Sequence, residues 1–160
     1  MTKTWATSAE NSKKPRILLV DDEFDRIYPL IDGLEAKGLE VIPVILSRES
    51  EQEPEGRSRW LTLDDTVRHA LNSANRIDAV VTDVYKPSEN GEYPYGLDLV
   101  RELKTKGYNG PVVAHSSLPT PEMRAAMIEA GAEGLYNKRD ADLVATAIKD
   151  ALERQVQSKS

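Results

Sequence analysis

The sequence contains no cysteine. Disulfides, thiolate nucleophiles and cysteine-ligated zinc are therefore excluded. Histidine is scarce as well, with only His69 and His115, too few for a histidine-rich metal site. No apolar run approaches the roughly 20 residues that span a bilayer. The start, MTKTWATSAENSKKP, lacks the apolar stretch of a signal peptide. The expectation is a cytoplasmic protein with no membrane contact. Positive charge is also outweighed, leaving a net charge of -6. Bulk electrostatics thus speak against direct binding to nucleic acid.

What remains is an ordinary globular composition. Hydrophobic residues make up 39% and charged residues 30% of 160 positions, which suits one domain with its own core. Residues 1–15 are polar and read as a flexible tail, and residues 155–160 as a frayed end, leaving 16–154 as the domain.

Within it, strand-like and helix-like patterns alternate. Arg16–Val20 is a continuous apolar run of the kind found in buried parallel strands. Phe24, Ile27, Ile31 and Leu34 recur at helical spacing, and Gly38 supplies a stop. Pro29 requires that helix to begin late, near Asp25 or beyond. Val41–Leu46 is a second strand, and Pro43 inside it points to a sheet edge. Ser47–Trp60 reads as a long charged loop. Thr62 and Asp65 then form a capping box for a second helix.

Asp78–Thr82, Pro111–Ala114 and Gly134–Asn137 complete the strands. Helices follow on Leu97, Val100 and Leu103, after the Thr120-Pro121-Glu122 start, and through Leu143, Val144, Ala147, Ile148, Ala151 and Leu152. Alternating strands and helices imply a parallel sheet covered on both faces, with right-handed crossovers. In such sheets a ligand sits beyond the carboxyl ends of the strands.

The residues at those ends form a coherent set. Asp21 and Asp22 follow the first strand, Asp83 the third, Ser116 the fourth and Lys138 the fifth. Each group alone is also what a helix cap or solvated turn carries. Together they place carboxylates, a hydroxyl and an amine around one crevice. Mg²⁺ prefers such oxygen ligands, and a hydroxyl and an ammonium suit phosphoryl oxygens. His115 is assigned no role, since a lone histidine near a strand end is more often structural.

These segments resemble the response-regulator receiver family. ILLVDDE is similar to the family's first strand and acidic pair, and DAVVTDVYKP to its phosphoacceptor segment. GLDLVRELKTKG is similar to its third helix, PVVAHSS to its Ser/Thr position, and AGAEGLYNK to its lysine.

The resemblance implies a flavodoxin-like, doubly wound α/β fold, with five parallel strands in the order 2-1-3-4-5 and five helices. It implies Asp83 as the phosphoacceptor nucleophile, with Ser116 and Lys138 holding phosphoryl oxygens. Mg²⁺ would lie between Asp22, Asp83 and the backbone carbonyl of Tyr85, with Asp21 acting directly or through water. A histidine kinase or histidine phosphotransfer protein would be the phosphodonor. Too little chain follows the last helix for a DNA-binding module, so a stand-alone receiver is expected, signalling to an output protein through about Thr120–Leu152. Its only catalysis would be its own phosphorylation and dephosphorylation.

Several features depart from the family pattern. The loop Ser88–Tyr95 is long and carries Tyr93 and Tyr95. Leu135 stands where many receivers have an aromatic switch residue, and Tyr136 beside it points to the opposite face. Arg139 replaces a frequent proline, which loosens the expected turn after Lys138. Two other functions fit the fold: a binding module that is not phosphorylated, or a phosphatase with an aspartyl nucleophile. The intact acidic set speaks against the first. Tyr85, where the common aspartyl phosphatases need a second Asp, speaks against the second.

Overall fold

The computed structural model of the chain describes residues 14–21, 24–46, 59–61, 63–84 and 96–158. The alternating pattern folds as β1 (Arg16–Asp21), α1 (Phe24–Ala36), β2 (Glu40–Leu46), β3 (Arg59–Leu61) and α2 (Leu63–Leu71). A short 3₁₀ turn at Ser73–Asn75 leads to β4 (Ala79–Asp83). Then come α3 (Gly96–Thr105), β5 (Val112–Ser116), α4 (Pro121–Ala130), β6 (Leu135–Asn137) and α5 (Ala141–Ser158).

All strand pairs are parallel, in the order β3-β2-β1-β4-β5-β6. Without the three-residue β3 this is the expected 2-1-3-4-5 sheet. β3 is a correction, because Arg59–Leu61 lies at the end of a segment read as loop. It also moves β2 off the edge. Pro43 is accommodated because the β2–β3 ladder begins only at Val44, so the proline, which has no N–H, precedes that pairing.

Strand alternation divides the core into two layers. Leu18, Val20, Val80, Val112 and Ala114 face α2, α3 and α4, where they meet Val67, Leu99, Leu103 and Met127. Ile17, Leu19, Ala79, Val81 and Val113 face α1 and α5, where they meet Ile27, Ile31, Leu34, Val144 and Ile148. Both faces of the central strands are therefore dry, which is why their sequences are continuously apolar.

Two helix boundaries differ from expectation. α1 begins at Phe24 and carries Pro29 within it. Pro29 is exposed, so the carbonyl deprived of its donor can bond water. α5 continues to Ser158, beyond Arg154. At α4 the sequence signals hold. Thr120 accepts a hydrogen bond from the Met123 amide at 3.1 Å, and Gly131 ends the helix at φ 123°, a conformation that glycine adopts without steric cost. No helix among the described residues is long and apolar enough to cross a membrane.

Candidate functional site at the strand ends

β1, β4 and β5 lie side by side, and their registers align polar residues at the carboxyl edge. Val20 pairs with Thr82, Asp83 with His115, and His115 with Tyr136 of β6. Asp21, Asp83 and His115 share the alternation of Ile17, Leu19, Ala79, Val81 and Val113, and so belong to the α1/α5 side of the sheet. The result is a polar row, Asp21–Asp83–His115, where the apolar strands end. Asp21 and His115 are fully buried and Asp83 is 5% exposed.

Backbone bonds hold this edge in place. The Val84 amide donates to the His115 carbonyl at 2.9 Å, and the Lys138 amide donates to the Ser116 carbonyl at 2.8 Å. Gly96 opens α3 against the same edge. A Cβ at Gly96 would lie 2.4 Å from the Asp83 carbonyl oxygen, so only glycine permits that approach. Thr82 adds a hydroxyl bond to the Asp83 carbonyl at 3.1 Å.

Lys138 Nζ reaches both acids, at 2.9 Å from Asp21 Oδ2 and 3.6 Å from Asp83 Oδ1. Asn137 orders its turn. The Asn137 side chain accepts from the Arg139 amide at 2.9 Å, and its carbonyl accepts from the Asp140 amide at 2.9 Å. The loosened turn expected from Arg139 is therefore not found.

Ser116 is buried beside the row, but its hydroxyl is engaged elsewhere. It accepts from the Leu118 amide at 3.2 Å and lies 3.9 Å from Met123 Sδ of α4. Asp22 and Tyr85, the other expected cation ligands, lie outside the described residues, as do Tyr93 and Tyr95. Leu135 is 1% exposed and packs in the α2–α4 layer, whereas Tyr136 packs on the α1/α5 side. Arg124 Nη2 donates to the Leu135 carbonyl at 3.0 Å.

His115 is the residue that sequence reasoning missed. Nε2 lies 4.0 Å from Asp21 Oδ2 and Nδ1 lies 4.0 Å from Asp83 Oδ1. Burial pushes its pKa down to about 3, and Lys138 acts in the same direction; Asp21 opposes them only in part. The imidazole is neutral at ordinary pH. Strand alternation puts His115 on the side of Val113, two residues earlier, and the β4–β5 register sets it opposite Asp83.

One ligand atom from each of Asp21, Asp83 and His115 lies within 4.8 Å of the others. Two buried carboxyl groups and one imidazole thus stand together beside the Lys138 amine. That donor set fits a small divalent cation.

No protein-family model matches the chain. It is 31% identical over 121 residues to the transcriptional regulatory protein PrrA of Mycobacterium bovis, and equally to PrrA of Mycobacterium tuberculosis. The match covers 74% of this chain and 41% of each relative, so the chain spans less than half the length of these curated relatives. Among solved structures, it is similar to a response regulator receiver domain protein (CheY-like) from Methanospirillum hungatei. The TM-score is 0.64 at 18% identity, covering 91% of this chain and 99% of that one. A receiver domain protein from Clostridium thermocellum gives 0.63 at 23% identity, covering 89% and 98%. The signal receiver domain of a modulated diguanylate cyclase from Desulfovibrio desulfuricans gives 0.64 at 20% identity, covering 91% and 99%. At these identities the structural likeness is one of fold.

Proposed function

Because this chain carries a domain of the response-regulator receiver type, we propose that it is a phosphoacceptor switch that takes a phosphoryl group on Asp83. The observation that carries this reading is the placement of Asp83. It ends a central strand with Asp21 beside it and the Lys138 ammonium 3.6 Å from its carboxylate.

The donor would be the phosphohistidine of a histidine kinase or phosphotransfer protein. An Asp83 carboxylate oxygen attacks phosphorus, the O–P bond forms as the P–N bond breaks, and the departing imidazole takes up a proton. Such transfers depend on positioning and charge neutralisation. Lys138, already beside the attacking carboxylate, neutralises one phosphoryl oxygen. Ser116 would exchange the Leu118 amide for another. Since Ser116 also contacts Met123, that exchange changes a contact with α4. Mg²⁺, held by Asp21, Asp22, Asp83 and the Tyr85 carbonyl, would supply further neutralisation of phosphoryl charge when bound.

Output would pass by protein contact through the face formed by α4, β6 and α5, about Thr120–Leu152. The protein would turn over no separate substrate. Its catalysis would be limited to gaining and losing its own phosphoryl group.

Intact-mass measurement with acetyl phosphate and Mg²⁺ tests the proposal. The wild type should gain one phosphoryl mass, and Asp83→Asn none. Failure of the wild type to gain it, or an undiminished gain in the variant, contradicts the proposal.

A further inference from the structure

The phosphoryl chemistry above leaves His115 unused. Its ring is completely buried, and neither nitrogen has a hydrogen-bond partner among the described residues. A polar ring so placed is costly unless something bonds to it. Both nitrogens are aimed at acids, Nε2 at Asp21 and Nδ1 at Asp83, each at 4.0 Å. That is too long for a hydrogen bond. Neighbouring nitrogen and oxygen donors on one octahedral ion, with bonds of about 2.0–2.2 Å, stand about 3 Å apart, so each contact would have to close by about 1 Å. Small side-chain rotations would bring one ion into contact with both.

We propose that His115 is a nitrogen ligand to the cation of this site, so that the site prefers a transition-metal dication such as Mn²⁺ to Mg²⁺. This rests on reading Asp21 and Asp83 as a cation site. Lys138 is nearer the Asp21 oxygen that faces Nε2, at 2.9 Å, than the Asp83 oxygen that faces Nδ1, at 3.6 Å, so an ion disturbs the ammonium less at Nδ1. All three groups stand on adjacent strands rather than on loops, so the donor set is rigid. Mg²⁺ takes oxygen ligands and keeps its waters, and gains little from an imidazole. Mn²⁺ accepts both carboxylate and imidazole. The competing occupant is a trapped water bridging ring and carboxylate.

The test uses the full chain with Mn²⁺ and Mg²⁺ alone. Titration calorimetry should give Mn²⁺ binding about tenfold or more tighter than Mg²⁺. Electron spin-echo modulation of bound Mn²⁺ should show coupling to an imidazole nitrogen. In His115→Val the coupling should vanish and the Mn²⁺ preference should collapse, with Mg²⁺ affinity nearly unchanged. His115→Asn serves if the valine variant does not fold, and the wild-type echo is informative without either. Tight Mn²⁺ binding with no nitrogen coupling overturns this inference and leaves the acidic cation site standing. Binding of neither ion overturns both.

Discussion

Replacing Lys138 by methionine keeps an apolar stem and removes the ammonium. In the folded chain that ammonium lies 2.9 Å from Asp21 and 3.6 Å from Asp83, and all three side chains are at most 8% exposed. An exposed pair at these distances contributes about 1 kcal/mol or less. Burial decides the outcome here. Lys138→Met leaves two neighbouring carboxylates in the interior without their counter-charge, a loss of about 3–5 kcal/mol.

Near neutral pH in chelator we expect the lower end of that range, about 3 kcal/mol. For a domain of this size the melting temperature should fall by about 6–12 °C. Urea unfolding measures the effect directly, as a lower midpoint with an unchanged slope. Lys138→Met combined with Asp83→Asn should recover part of the loss, because one of the stranded charges is gone. If Lys138→Met unfolds within about 0.5 kcal/mol of wild type, the ion pair is not the buried interaction described. If the double variant is no better than the single one, the loss comes from packing rather than charge.

Gly96→Ala should destabilise by about 1–3 kcal/mol and slow phosphoryl uptake, because the new methyl group would press on the Asp83 carbonyl; unchanged urea midpoints and uptake rates would contradict this. Leu135→Ala, at a site 1% exposed, should cost about 2–5 kcal/mol, read from the same unfolding curves. His115 predicts a pH dependence. Its folded pKa of about 3 lies below the unfolded value near 6.5, so the unfolded chain takes up the proton first. The contribution is fully present above about pH 6.5 and is lost as pH falls toward about 3, by up to about 1.4 kcal/mol per pH unit. In chelator, wild-type urea midpoints should therefore fall more steeply on acidification than those of His115→Val; parallel curves would refute the burial argument.

The parts of the fold legible in the sequence are those with strong physical signatures. β1 and β4 are continuous apolar runs because both faces are buried, and their terminal aspartates stood out against that background. Thr120 and Gly131 were legible as helix boundaries because capping and positive φ restrict residue choice. β3 was not legible, since three residues in a charged segment are too few to carry a periodicity. The last turn of α5 was hidden for a related reason: polar Gln155, Gln157 and Ser158 extend a helix already anchored by Val144 and Ile148.

The site divided along similar lines. Asp21, Asp83 and Lys138 were found from position and do converge. Ser116 was found, but its present partners, Leu118 and Met123, depend on how the following loop turns. His115 escaped because one histidine has no spacing pattern. Only the strand register, which pairs it with Asp83, makes it part of the site.

Chemical trapping identifies the atom that receives phosphorus. Protein treated with acetyl phosphate and Mg²⁺ is reduced with borohydride, which converts an aspartyl phosphate to homoserine, and is then mapped by peptide mass spectrometry. Homoserine is expected at position 83 and at no other aspartate. Conversion at Asp21 or Asp22 instead, or a phosphoryl group that resists reduction and maps to a hydroxyl such as Ser116, would contradict it.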